Sequence, residues 1–272
     1  MKIAAIQMSC GPDVERNVKR AIEMAKLAAE KGARLAAFQE LSVYPWFPAK
    51  KDDGAFAMAQ GLDGAIIAEM KELARETGMV LVCPIFERDG DSCYNSAVVI
   101  EKDSSVAGVY RKVHVPQVAL WEEKYYFQPG NDAFPVFDTS CGRIGIQISW
   151  DNFFPEGSRI LGLKGAQIVV APTSAAFASQ DRWLKVISAN AITNGFFTLR
   201  ANRVGREEHQ SFYGASFCIN PFGELVGEPA AERDTVYLVD IDLSLVDEAK
   251  RTLPFFQDRR PECYAEIVAA TQ

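Results

Sequence analysis

The sequence predicts a layered α/β protein with a mixed sheet. Short apolar runs alternate with longer segments of helical periodicity along the whole chain. Hairpin signals such as Asp89-Gly90-Asp91 lie among them and add antiparallel pairs to parallel ones. One internal echo supports two similar halves: Lys31-Gly32-Ala33-Arg34-Leu35-Ala36-Ala37 and Lys164-Gly165-Ala166-Gln167-Ile168-Val169-Val170 both read as helix end, Lys-Gly-Ala, buried strand. A single short match is weak evidence for duplication.

Lys2–Met8 reads as the first strand. Asp13–Gly32 follows as a helix, with Val14, Val18, Ile22 and Ala25 at helical spacing and Gly32 as its stop. Leu35–Phe38 is a short buried strand, and Gly64–Gly78 a second amphipathic helix. Val80–Phe86, Tyr94–Ile100 and Val106–Arg111 are strands. The second half repeats the rhythm. Ile144–Ile148 is a strand, Glu156–Gly165 a helix, Ile168–Val170 a strand and Trp183–Asn194 a helix. Phe197–Ala201, Ala215–Ile219 and Thr235–Ile241 complete the set of strands, with a turn at Pro221–Val226. No Pro/Ser-rich linker divides the chain, so it reads as one domain, residues 1–272, with a C-terminal extension from about 254.

The chain has 272 residues and a net charge of −7, which leaves no electrostatic footprint for nucleic acid. No apolar run reaches the ~18 residues of a membrane helix, and the N-terminus turns polar too soon for a signal peptide. Six cysteines without C-x-x-C spacing read as free, mostly buried thiols of a cytoplasmic protein, with no metal site. There are only two histidines, His114 and His209, so a histidine base has few candidates.

Four positions carry possible chemistry. Ser149 follows an apolar strand and precedes the helix opening at Pro155-Glu156, a strand–turn–helix layout that presents a nucleophile at a sheet edge. Glu40 ends the buried run Leu35–Gln39, where a carboxylate is expensive unless paired or used. Lys112 ends another strand and, between carboxylates, would hold positive charge where an oxyanion forms. Glu123 lies among aromatics before Pro129-Gly130. Taken singly, each charge also reads as an ordinary solvated group, and His114 and His209 read as packing and surface residues.

In combination they resemble a family. Phe38-Gln39-Glu40-Leu41, Tyr110-Arg111-Lys112-Val113-His114-Val115-Pro116, Glu123-Lys124-Tyr125-Tyr126-Phe127 and the segment Arg143–Glu156 resemble, in order, the motifs of the nitrilase (carbon–nitrogen hydrolase) superfamily. Ala201–Gly205 and Gly214–Ser216 also look like family segments, so the resemblance spans nearly the whole chain. It implies a four-layer α-β-β-α sandwich with two mixed β-sheets and a Glu-Lys-Cys mechanism without metal or organic cofactor. Carried over, Glu40 is general base and acid. Lys112 and the backbone N–H of Trp150 stabilise the oxyanion, and Glu123 positions the substrate and Lys112. Tyr44, Asn152, Phe153, Thr173 and Arg182 are further candidates for substrate binding. The family's nucleophile is a cysteine; this chain has Ser149.

That departure falls on the reacting atom. A thiol ionises near pH 8.5, whereas a serine hydroxyl is a far weaker acid and sits wrongly in a site shaped for sulfur. The chain is therefore expected to turn over little or nothing. Replacement of a native cysteine is favoured over a natural pseudoenzyme, because the rest of the set is intact. A working serine amidase is a third reading.

Trp150-Asp151-Asn152-Phe153 resembles the amidase and carbamoylase branches, and Glu123–Asn131 is similar to N-carbamoylputrescine amidases and β-ureidopropionases. The arginines that D-carbamoyl amino acid hydrolases place after the aspartate are replaced by Asn152 and Phe153. A cationic or neutral carbamoyl substrate is therefore expected; Glu207 and Glu208 read equally well as partners of an amine tail or as plain surface charges, and Arg200, Arg203 and Arg206 pull toward a carboxylate. An ω-amidase, an aliphatic amidase or a non-catalytic ligand-binding homologue are the alternatives. The resemblance also implies a homodimer or higher homo-oligomer, which the apolar Leu253-Pro254-Phe255-Phe256 fits.

Overall fold

A computed structural model describes residues 1–269. Its strands are β1 (Lys2–Gln7), β2 (Ala33–Phe38), β3 (Val80–Asp89), β4 (Ser92–Ile100), β5 (Val106–Arg111), β6 (Val136–Thr139), β7 (Gly142–Ile146), β8 (Ile168–Thr173), β9 (Phe197–Asn202), β10 (Val204–Arg206), β11 (Ser211–Tyr213), β12 (Phe217–Ile219) and β13 (Thr235–Asp240). Its α-helices are α1 (Val14–Glu30), α2 (Ala65–Thr77), the single turn α3 (Glu123–Tyr126), α4 (Pro155–Leu163), α5 (Gln180–Asn194) and α6 (Ser244–Thr252).

Two mixed sheets carry the fold. The first has the order β13-β1-β2-β3-β4-β5 and the second β12-β9-β8-β7-β6. In each, parallel strands form the centre (β1, β2 and β3; β7, β8 and β9) and antiparallel strands the edges. Side-chain alternation explains the layering. Ile3, Ala5, Leu35, Ala37, Val80 and Val82 pack toward Ile144, Ile146, Ile168 and Val170 of the second sheet. Their neighbours Ala4, Ile6, Ala36, Phe38, Leu81 and Cys83 pack toward Val18, Ala21 and Ala25 of α1 and Ile67, Met70 and Leu73 of α2. The strands are buried on both faces, which is why they read as continuous apolar runs. On the far side of the second sheet, Leu161 of α4 and Trp183, Ile187 and Ala191 of α5 close the fourth layer. This is the α-β-β-α sandwich.

The helix ends follow local chemistry. Asp13 caps α1 by accepting from the N–H of Arg16. Gly78, with φ +67°, ends α2 in the left-handed conformation that its sequence position predicts. The strand expected over Ala215–Ile219 begins only at Phe217, because Ala215 has φ +51° and the N–H of Ser216 is taken by the Gln7 side chain. The expected C-terminal extension packs Phe256 under the Arg159 guanidinium and against Gly162 of α4. Residues 270–272 of that expectation lie outside the described residues.

Candidate active site

Strand ends of both sheets supply the site. β2 delivers Glu40 two residues past its last strand residue, β5 runs directly into Lys112, and α3 opens with Glu123. Lys112 Nζ lies 2.8 Å from Glu40 Oε1 and 2.6 Å from Glu123 Oε2. All three side chains are at most 1 % exposed. The Asn95 amide, from the interior of β4, donates to Glu40 Oε1 at 2.9 Å. Two carboxylate oxygens, Glu40 Oε2 and Glu123 Oε1, are buried without a partner among the described residues. Unfilled buried acceptors suit the N–H groups of an amide.

Electrostatics follow from that burial. Desolvation alone would depress Lys112, but two carboxylates override it and hold the ammonium above the ordinary lysine value. Desolvation raises Glu123 to about 7, against the opposing pull of Lys112 and with further help from Glu40. A group poised there can hold or release a proton near neutral pH.

Ser149 opens a tight 3-10 turn, Ser149–Phe153, beyond β7. Its φ of +46° is a strained backbone for a residue with a Cβ. The first intraturn bond runs from the Asp151 N–H to the Ile148 carbonyl, so the N–H groups of Ser149 and Trp150 have no acceptor within the turn. Such free N–H groups beside a nucleophile are what an oxyanion hole requires.

Asp151 holds the turn in place. Its Oδ2 accepts from the Ile148 N–H at 3.1 Å and from the Tyr110 hydroxyl at 2.7 Å. Its Oδ1 accepts from the His114 N–H at 2.9 Å and lies 2.9 Å from His114 Nδ1. His114 in turn stacks on Phe154, the ring centroids 3.7 Å apart. On the Glu40 side, Arg203 does similar work. Its Nη2 donates to the carbonyls of Glu40 (3.2 Å) and Leu41 (2.8 Å), its Nη1 to Tyr44 (2.9 Å), and its Nε to Ser174 Oγ (3.1 Å). Leu41 is left with φ +48°, so the segment bearing Glu40 is also held in an unusual backbone.

Glu123 and Ser149 line one cavity of about 460 Å³, with Trp150, Phe153, Arg182 and Trp183 on its walls. The structure thus joins Glu40 and Lys112 to Glu123 by direct ion pairs, and places Glu123 on one cavity wall with Ser149, Trp150, Phe153 and Arg182. It does not bring Tyr44, Asn152 or Thr173 to the cavity wall. Asn152 is buried and spends its amide on the carbonyls of Gln147 and Ser149. Thr173 is buried and bonded to Ala201 and Asn202. Tyr44 is packed edge-on against Phe47 and Phe86. These three brace the site from the core. Tyr110 and Asp151 stand inside the family-like motifs, but their bracing roles, like that of Asn95, have no signal of their own in the sequence. Six cysteines are free and five of them buried. Among the described residues no helix is long and apolar enough to cross a membrane, and no cluster of metal-ligating side chains occurs.

Fold and site together define a carbon–nitrogen hydrolase, and the chain belongs to that family: the family model, Carbon-nitrogen hydrolase, matches residues 2–251. Among relatives, the chain is 34% identical to a citrullinase of Francisella tularensis subsp. tularensis, over 98% of each chain. It is also 34% identical to an N-carbamoylputrescine amidase of Solanum lycopersicum, over 98% of this chain and 94% of that one. Among solved structures, the carbon-nitrogen hydrolase from Helicobacter pylori G27 superposes with a TM-score of 0.96 at 30% identity, covering 100% of this chain and 99% of that one.

Proposed function

We propose that this fold and site hydrolyse the C–N bond of a small N-carbamoyl compound or linear amide with release of ammonia, and that Ser149 leaves the chain inactive. The observation that carries this is the buried Glu40–Lys112–Glu123 set, whose Glu123 shares a cavity with the strained turn at Ser149. The carbamoyl half is supported by two relatives named for ureido substrates.

With a thiol at position 149, the steps are these. Glu40 takes the thiol proton as sulfur attacks the carbonyl carbon. The Lys112 ammonium and the N–H of Trp150 hold the oxyanion, while Glu123 keeps Lys112 oriented and accepts a substrate N–H. Glu40 then passes its proton to the departing nitrogen, and ammonia leaves. Water gives a proton to Glu40 and adds to the thioester. Collapse frees the acid and returns the thiol. A carbamoyl thioester gives carbamate, which falls to carbon dioxide and amine.

The test is ammonia release by this chain and by Ser149→Cys, side by side, on ureas, ω-amides and a simple nitrile. Release by the cysteine variant alone, at least ~100-fold above the serine chain, supports the reading. Equal activity of the two proteins would sink the claim that Ser149 inactivates. Silence from both would favour the ligand-binding alternative.

A further inference from the structure

We infer that the cavity takes substrates carrying a carboxylate tail, with Arg182 as the residue that pairs it. This rests on reading the cavity as the site of C–N hydrolysis. The charged groups on its wall are Glu123 and Arg182. Glu123 is committed: its Oε2 is 2.6 Å from Lys112 Nζ, at the end where the reacting bond must sit. Arg182, in the first turn of α5, forms no ion pair among the described residues. Asp181 in the same turn does not line the cavity. The wall is otherwise apolar and aromatic, with Trp121, Phe153 and Trp183. An unpaired guanidinium over such a wall is a ready partner for a carboxylate.

A second, independent feature adds positive potential at the same end. Arg200, on β9, is fully buried and has no carboxylate partner among the described residues. Its Nη2 donates to the Tyr213 hydroxyl at 2.8 Å, and its Nε has no partner. Its guanidinium lies 4.8 Å from the ring centroid of Trp183, the residue beside Arg182 that lines the cavity. Burial draws Arg200 down only to about 10, so it stays charged at neutral pH. An uncompensated buried cation is costly. Its field, weakly screened by the apolar wall, favours an anion in the neighbouring cavity.

The acidic residues that would favour an amine tail are not available to it. Glu207 is bonded to Arg203 and to the Trp46 N–H, and neither Glu207 nor Glu208 lines this cavity. That removes Glu207 and Glu208 as support for an amine tail. The class assigned is ω-ureido acids.

Three ureas of equal length test this: 4-ureidobutyrate, butylurea and 4-ureidobutylamine. Binding to the Ser149 chain is measured by calorimetry, and kcat/KM for Ser149→Cys. The expected order is acid, then neutral urea, then amine, with the acid favoured over butylurea by about tenfold or more. Arg182→Gln, at unchanged Tm, brings the ratio of acid to butylurea down to about one. Arg182→Lys restores part of the preference. A preference for the amine, equal treatment of the three, or a preference that survives Arg182→Gln overturns the assignment and leaves C–N hydrolysis standing. No binding and no turnover of any urea overturns the carbamoyl reading and this assignment with it.

Discussion

Replacing Lys112 by methionine isolates the electrostatics of the site, because methionine keeps much of the side-chain volume and removes the charge. The ammonium faces two buried carboxylates at 2.8 and 2.6 Å. At an effective dielectric of ~20, each attraction is ~6 kcal/mol, most of it offset by desolvation of the ions. Breaking such a buried pair by removing one partner costs about 3–5 kcal/mol, because the other partner stays buried and uncompensated. The cost depends on pH. Glu123 already stands raised to about 7 by burial, and without Lys112 it must rise further. A carboxyl raised in the folded state contributes stability below its unfolded value, about 4.3, and loses it as pH climbs through the folded value. Lys112→Met is therefore expected to lose about 3–5 kcal/mol at pH 8 and less at pH 5. Urea unfolding at the two pH values, with unchanged m, checks it. A deficit equal at both, or below about 1 kcal/mol at pH 8, would refute the claim that the pair is buried and mutually dependent.

Three further outcomes are expected. Asp151→Ala removes a carboxylate that accepts from Ile148, His114 and Tyr110, and thermal unfolding should register a loss of about 2–4 kcal/mol. Gly130→Ala puts a Cβ 2.2 Å from the Arg111 carbonyl oxygen, while the Gly130 N–H holds the Lys112 carbonyl. The backbone must move, so a cost above about 2 kcal/mol is expected by urea unfolding, and Lys112 moves with it. Glu123→Gln removes the group that loses stability between its unfolded value and about 7, so Tm should vary less across pH 5 to 8 than in the parent chain.

Much of the fold is legible in the sequence because its strands are buried on both faces. Leu35–Phe38 and Val80–Phe86 read as apolar runs for that reason. α1 announces itself by Val18, Ala21 and Ala25 on one face and Asp13 at its start. β6 escapes notice, being four residues long with Asp138 exposed inside it. β10 and β11, at three residues each, are too short for a period to register. In the site, Glu40 and Lys112 stand out as charges at the ends of apolar strands. Their meeting does not, since 72 residues separate them. Asn95 bonds the Glu40 carboxylate, Asp151 the His114 N–H and Arg203 the Glu40 and Leu41 carbonyls, and contacts over such sequence distances leave no local pattern. Tyr44 follows one motif and Asn152 lies inside another, yet both, like Thr173 at the end of β8, are buried in the core and do not line the cavity.

The way Ser149 is held bears on why the chain keeps a strained turn. The φ of +46° is imposed by partners outside the side chain: Asp151 grips the Ile148 N–H, Asn152 grips the carbonyls of Gln147 and Ser149, and Asn190 grips the Asn152 carbonyl. None of these contacts involves the atom at the tip of residue 149. Exchange of oxygen for sulfur there leaves the scaffold intact. Meanwhile the turn, the buried Glu40–Lys112–Glu123 set and the unpartnered carboxylate oxygens all cost stability that a plain binding pocket has no need to carry. Strain and buried charge retained around Ser149 support the proposed hydrolase over a binding protein that has no use for them.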